Sequence, residues 1–387
     1  MEKGNVLVVG YEGVGKSTLI KAVLGDEVMK KSASASKETA SDFQVYENKA
    51  VPFRLIDTTG IEPGVFKELK AVNAVRKWSG KTIKSGKKDN QISVIWFCLD
   101  RYTAKLFPKT IESFMDAISV WKNVPVITVI TQSYEESDAN AAKEIVEKAF
   151  LSKKKYMTRL SEIISVVAKP KKTEDGSLLP PMGITELIEA TNNLLPEGLQ
   201  AAEKDIARYN LSRKRAMSHA VVSVATLTGI TVGSVGLPVM DVMLLKPTES
   251  LEIESIFKIW GIKKTKKAKE LLKFILDIGT VSITGKMLAS SMKLIPGVNL
   301  GAAVINGVIS GTIVFALGEA SAFVFEKIYT GEKTIDDMEW VKKVVSESLT
   351  SNALDKVTSS VKGITKSSDK TEILNAVTTA FTKKGFA

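Results

Sequence analysis

The grouping of hydrophobic residues changes near the middle of this chain. In the first half, apolar runs of about 4–8 residues alternate with stretches whose apolar positions recur every three or four residues. Asn5–Val9, Phe43–Tyr46, Val51–Ile56, Ile92–Leu99, Val124–Ile130 and Ile163–Ala168 read as strands. Leu19–Leu24 and residues 64–78, 109–121, 138–152 and 183–194 read as helices. Such alternation predicts an α/β fold: a mostly parallel sheet with helices on both faces and its ligand at the carboxyl ends of the strands.

The second half predicts an all-α apolar unit. After Pro196, a charged helix runs from Leu199 to Arg213-Lys214-Arg215, and there the composition shifts. Ala220 to Met240 and Leu294 to Gly318 contain no charge, and at 1.5 Å per residue either run is long enough to cross a hydrocarbon core of roughly 30 Å. Both runs carry small residues every fourth position (Ala225-Gly229-Gly233 and Ala303-Gly307-Gly311), which lets helix backbones approach closely in a membrane or in a soluble pair. Between them, residues 246–293 hold ten lysines against five acids, which inverts the positive-inside bias if both runs cross. Three readings stay open: spanning helices, a buried hairpin that docks on a membrane through its basic rim, and a soluble helical core. The Lys263–Lys269 cluster reads as a solvated face or as an attraction for anionic lipid. Residues 331–387 read as two amphipathic helices behind capping boxes, Thr334 with Asp337 and Asp369 with Glu372, joined by a Ser/Thr/Lys linker from Thr358 to Lys370. The expected division is 1–197, 198–330 and 331–387.

Composition narrows the chemistry. A length of 387 residues, 44% hydrophobic and 25% charged, describes a globular chain of about two domains. The one cysteine, Cys98, reads as a packed core thiol and the one histidine, His219, as a helix-surface residue. They cannot build a zinc site or a Ser-His-Asp triad, so chemistry must run on backbone amides, Lys, hydroxyls and carboxylates. The net charge of +11 is spread over both halves, +4 in residues 1–197 and +7 in 198–387, which does not favour nucleic acid as a partner. Met1-Glu2-Lys3-Gly4 passes straight into a strand, so no signal peptide is expected and the chain reads as cytoplasmic.

One segment accounts for that chemistry. The first strand runs into Gly10-Tyr11-Glu12-Gly13-Val14-Gly15-Lys16-Ser17-Thr18 and then a helix, the pattern G-x-x-x-x-G-K-S. Glycines let consecutive N–H groups surround a phosphate, the helix terminus adds partial positive charge, Lys16 reaches the β- and γ-oxygens, and Ser17 ligates Mg²⁺. The third strand ends in Asp57-Thr58-Thr59-Gly60, a D-x-x-G that places Asp57 in the Mg²⁺ shell and the Gly60 amide at a γ-phosphate. In the polar segment Lys30–Ser41, Thr39 is the residue placed to close over the metal, with Ser36 and Ser41 as alternatives.

On these motifs, residues 4–197 resemble the Era-like P-loop GTPases of the translation-factor-related class. The resemblance implies GTP and GDP as ligands, Mg²⁺ as cofactor, and catalytic roles for Lys16, Thr39 and Gly60. Two elements depart from it. The family's N-K-x-D is replaced by Thr131-Gln132-Ser133-Tyr134, which leaves Thr131 and Gln132 to flank the base and Glu135, Glu136 or Asp138 to lean in. The S-A-K element keeps only Ala168 and Lys169. GTP remains favoured over ATP. Ile61 stands where many relatives orient water with Gln, which implies slow hydrolysis helped by a partner, a second copy or K⁺. Residues 216–330, through Leu237-Pro238-Val239-Met240-Asp241, Leu294-Ile295-Pro296-Gly297 and Thr312 to Ala320, resemble the YcjF-type domain of unknown function. That resemblance implies peripheral or integral membrane association. The expected function is a GTPase switch, with a nucleotide-gated scaffold that barely hydrolyses and a ribosome- or RNA-associated GTPase as alternatives.

Overall fold

The computed structural model describes residues 2–28, 43–58, 91–100, 114–115, 118, 121, 123–152, 154–235, 242–281, 300–350, 353–362 and 364–382. Thr39, Gly60 and Ile61, the helix expected at 64–78, most of that at 109–121, and the segments Leu237–Asp241 and Leu294–Gly297 lie outside the described residues. The chain divides into two compact units, residues 1–169 with 181–213, and residues 170–180 with 214–387.

The first unit is the expected α/β layer. Its sheet holds β1 (Gly4–Gly10), β2 (Phe43–Glu47), β3 (Phe53–Thr58), β4 (Ile92–Asp100), β5 (Val126–Thr131) and β6 (Leu160–Ser165), in the order β2-β3-β1-β4-β5-β6. Every residue of β1 and β5 is buried, as parallel strands covered on both faces require, whereas edge strand β2 buries only Phe43 and Tyr46 and runs antiparallel to β3. The connections leave β1 toward β3 on one side and toward β4 on the other, so the carboxyl end of β1 is a topological switch point. Register pairs Val8 with Asp57, Gly10 with Cys98 and Asp100 with Thr131, which gathers residues far apart in sequence at one edge of the sheet.

Helices α1 (Lys16–Leu24), α2 (Glu136–Leu151), α3 (Lys154–Met157) and α4 (Ile184–Leu194) belong to this unit. Helix α4 is tied to the sheet where the Trp96 indole donates to the Thr191 hydroxyl at 3.0 Å, while that hydroxyl donates to the Leu187 carbonyl. The long helix α5 (Glu203–Gly233) begins here, its Tyr209 hydroxyl donating to the Val23 carbonyl at 2.6 Å. Composition reads as a charged helix stopping at Arg215; the backbone instead continues through the shift as one helix, because nothing between Arg213 and Gly229 breaks it.

The second unit is all-α apart from the two-residue hairpin β7 (Lys171–Lys172) and β8 (Leu178–Leu179). Its helices are the rest of α5 with α6 (Lys246–Trp260), α7 (Lys266–Val281), α8 (Ala302–Tyr329), α9 (Met338–Thr350), α10 (Ala353–Val361) and α11 (Lys370–Thr382). Helix α8 is apolar on every side because α6, α9, α10 and α11 all pack on it. By length and composition α5 and α8 are both able to cross a membrane, but 83% of the apolar window of α8 is buried inside this bundle.

Glycines of both small-residue ridges lie where α5 and α8 pack. A Cβ on Gly233 would run into Ser310 and the Asn306 carbonyl, and one on Gly311 would lie 2.6 Å from Ile230, so the antiparallel pair α5 and α8 packs closely, each glycine receiving a side chain of the other helix. Toward the other end the spacing widens to admit side chains. There Arg215 makes a bidentate pair with Glu326 at 2.6 Å and His219 Nδ1 lies 2.6 Å from Glu319. His219 is therefore half-buried and paired, and the hydrogen bond to Glu319 raises its pKa.

At the chain's end the Asp369 box forms as expected, Asp369 accepting from the Thr371 and Glu372 amides while its own amide donates to Glu372. The Thr334 box does not form in that register: Asp337 immediately precedes α9 and accepts from the Thr334 amide. Thr358–Val361, expected in a linker, is the last turn of α10, because Val357 and Val361 bury one apolar face.

Helix α6 also buries two acids. Glu249 and Glu252 are fully covered, and none of their four carboxylate oxygens has a hydrogen-bond partner among the described residues. Burial pushes Glu249 up to about 7 and Glu252 well above the usual carboxylate range, with Glu249 and Glu319 adding repulsion at Glu252. The unfolded chain ionises these groups near pH 4.5. Their protonated form therefore favours the fold at low pH, and this support is lost as pH rises from there through about 7. Glu249→Gln with Glu252→Gln is expected to stabilise the helical unit on the order of 2–3 kcal/mol at pH 8 and little at pH 4. Urea unfolding followed by circular dichroism across that range checks it; parallel pH profiles for variant and parent would refute it.

Candidate functional site

The site assembles at the switch point from residues that the sheet register brings together. Gly10 closes β1 because a Cβ there would meet the Cys98 carbonyl at 2.4 Å. Gly13 and Gly15 hold φ of +83° and +93°, a region L side chains rarely adopt, with open space where a Cβ would stand. The loop carrying Glu12, Gly13, Val14 and Gly15 thus turns sharply into α1 and leaves a concavity above it. Helix α1 has no side-chain cap and no acid in its first turn, and its first described amide bond is Leu19 N–H to the Gly15 carbonyl. The amides of Lys16, Ser17 and Thr18 precede that bond, and this is the arrangement an anion requires at a helix start.

Lys16 is buried and donates to the Gly10 and Tyr11 carbonyls, both at 2.9 Å, so its ammonium is held over the loop. Burial lowers its pKa, and the nearby carboxylates of Asp57 and Glu12 oppose that shift. Asp57, at the end of β3, is pushed up to about 6 by burial, against the pull of Lys16 and a hydrogen bond from Ser17. Its Oδ1 has no hydrogen-bond partner among the described residues. A carboxylate oxygen buried beside a hydroxyl and left unpartnered fits a divalent cation bound by Ser17 and Asp57. Cys98 lies behind the loop as the expected core thiol; burial pushes it up to about 12, so it stays neutral and supplies no charge.

Two ties fix this geometry that sequence alone does not reveal. The Thr131 hydroxyl lies 2.5 Å from the Val14 carbonyl and 3.1 Å from that of Leu99, joining the end of β5 to the glycine loop. The Thr58 hydroxyl donates to the Val8 carbonyl at 3.0 Å, holding the residue after Asp57 against β1. Beyond Thr131, Gln132 is the one non-glycine with positive φ among the described residues, at 54°. It turns the chain so that the Ser133 amide donates to the Val166 carbonyl at 3.3 Å. Ala168 and Lys169 follow Val166, so the structure brings Thr131, Gln132, Ala168 and Lys169 to one edge next to the loop. The Ser133 hydroxyl is spent on the Ile130 carbonyl, and Glu135 and Glu136 are exposed at the start of α2.

Residues 5–132 match the family model described as 50S ribosome-binding GTPase. The sheet and helices of the N-terminal unit have the fold of a P-loop GTPase domain. Among solved structures, this chain is similar to the bacterial selenocysteine-specific elongation factor EF-Sec, at 23% identity and a TM-score of 0.33. That match covers 50% of this chain and 29% of the elongation factor. None of the curated proteins matches this chain.

In this unit the unfolded state ionises Asp57 near pH 3.8 and the folded state near 6, so the buried charge opposes folding above that window. Asp57→Asn is therefore expected to stabilise the ligand-free domain by about 1–2 kcal/mol at pH 7 while abolishing any gain in stability from Mg²⁺ with GTP. Thermal unfolding with and without that pair reads both effects; a variant that still gains from Mg²⁺ would remove Asp57 from the metal's shell.

Proposed function

We propose that this protein is a Mg²⁺-dependent GTPase that acts as a nucleotide switch for its helical unit. The observation that carries this reading is the unpartnered Asp57 oxygen beside Ser17 and Lys16, under an open glycine loop at a helix start. Glu12 to Thr18 cradle the phosphates, Thr131, Gln132, Ala168 and Lys169 flank the base, and Ser17, Asp57 and Thr39 hold the metal. When bound, Mg²⁺ neutralises charge on the β- and γ-phosphate oxygens. Lys16 exchanges its two loop carbonyls for phosphate oxygens, and Thr39 and the Gly60 amide report the γ-phosphate to the rest of the chain. With Ile61 unable to hydrogen-bond the attacking water, hydrolysis is slow until K⁺, a second copy or a partner completes the site.

The Era-like and YcjF-type resemblances support a cytoplasmic protein that associates peripherally with a membrane, its apolar α8 kept inside the bundle. The description of the matching family favours a second reading, ribosome association, for which salt-sensitive co-sedimentation with ribosomal subunits is the discriminating measurement.

Lys16→Ala is expected to weaken a non-hydrolysable GTP analogue about 10- to 100-fold, the worth of charge-assisted bonds to phosphate. Unchanged affinity would refute the site. Competition among GTP, ATP and XTP tests the base: with Tyr134 replacing the usual Asp, GTP is expected to win by a narrower margin than a base-reading carboxylate provides. Phosphate release measured in Na⁺ and in K⁺ over a protein concentration series is expected to accelerate with one of the two; a fast rate indifferent to both would remove the requirement for an activator.

A further inference from the structure

A groove of about 370 Å³ opens between α6 and α7 of the helical unit. Its floor is apolar: Ile253 and Phe257 from α6, Leu272 and Leu276 from α7. Its rim is cationic, with Lys258 and Lys264 on one side and Lys269 and Lys273, one turn apart, on the other. All four are exposed, and none forms an ion pair among the described residues, whereas neighbouring Lys267 is paired with Asp336 at 2.7 Å. Glu254 is the one carboxylate among the described lining residues.

Four ammonium groups around an apolar slot repel one another, and water gains nothing from the slot's floor. A ligand that removes both costs has an aliphatic body and a negative head. The volume lies near the lower end of the roughly 300–1,000 Å³ typical of small-molecule sites, whereas a docked helix of 10–12 Å diameter needs a longer trough. We propose that this groove binds a free single-chain anionic amphiphile of the fatty-acid class, its alkyl tail between α6 and α7 and its carboxylate among the four lysines. The site stands on the helical unit's own residues and does not depend on the nucleotide chemistry.

Calorimetric titration of the full chain with laurate, below its micelle concentration, tests this. Saturable binding of one laurate per chain is expected, with dodecyltrimethylammonium, the same tail under a positive head, weaker by roughly tenfold or more. Lys269→Glu with Lys273→Glu, both on the exposed rim, is expected to weaken laurate roughly tenfold or more while leaving the circular dichroism spectrum and GTP-analogue binding as in the parent. Leu272→Glu, which charges the floor, is expected to do the same. Equal affinity for both head charges, or laurate binding that ignores the rim reversal, would overturn the proposal. So would a chain that binds only phosphatidylglycerol vesicles, or only an acidic amphipathic peptide, and not laurate.

Discussion

An ammonium and a carboxylate share a confined volume where β1 and β3 end, and neither is at ease there. Burial lowers the pKa of Lys16 and raises that of Asp57, and the opposite charge of each opposes the shift of the other. Lys16 spends its protons on two loop carbonyls, and Asp57 keeps one oxygen unpartnered. The surrounding architecture serves to hold this arrangement open. Gly10 lets β1 press against β4, the loop glycines carry the chain away from the space above, and the Thr131 hydroxyl ties the loop to β5. A polyanion with a divalent cation satisfies both groups at once, which is why this corner is more comfortable loaded than empty.

The helical unit solves a different problem. Helix α8 is too apolar to face water on any side, and its neighbours cover it in two ways. Small residues let α5 approach at backbone distance near one end, and ion pairs close the wider end. The same ridge pattern serves membrane helices, so sequence alone leaves the choice open; in this structure side chains of the other helix fill the space over each ridge.

What was legible in the sequence follows from backbone physics. The strands, the glycine spacing before Lys16 and the acid at the end of β3 are each imposed by local requirements, and among the described residues each lies close to where the pattern puts it, the last strand starting three residues earlier at Leu160. Ties across long separations were not legible: the Thr131 hydroxyl reaches a carbonyl 117 residues earlier, and a lone threonine at a strand end carries no sign of that. Nor was Gln132 readable as a left-handed turn, since Gln is an ordinary residue elsewhere. The burial of Glu249 and Glu252 was not legible either, because acids spaced three apart on an amphipathic helix normally mark the wet face. The continuity of α5 was hidden by a change of composition that the backbone ignores.

Three of the helices that cover α8, namely α9, α10 and α11, follow it in the chain. After Tyr329, another 53 residues pass before α11 is complete at Thr382. At a synthesis rate of about 5–20 residues per second, α8 spends roughly 3–10 s without that part of its cover. During that interval the nascent chain displays a helix that membrane-insertion machinery and chaperones both recognise by hydrophobicity, so the fate of this segment depends on timing as well as on packing.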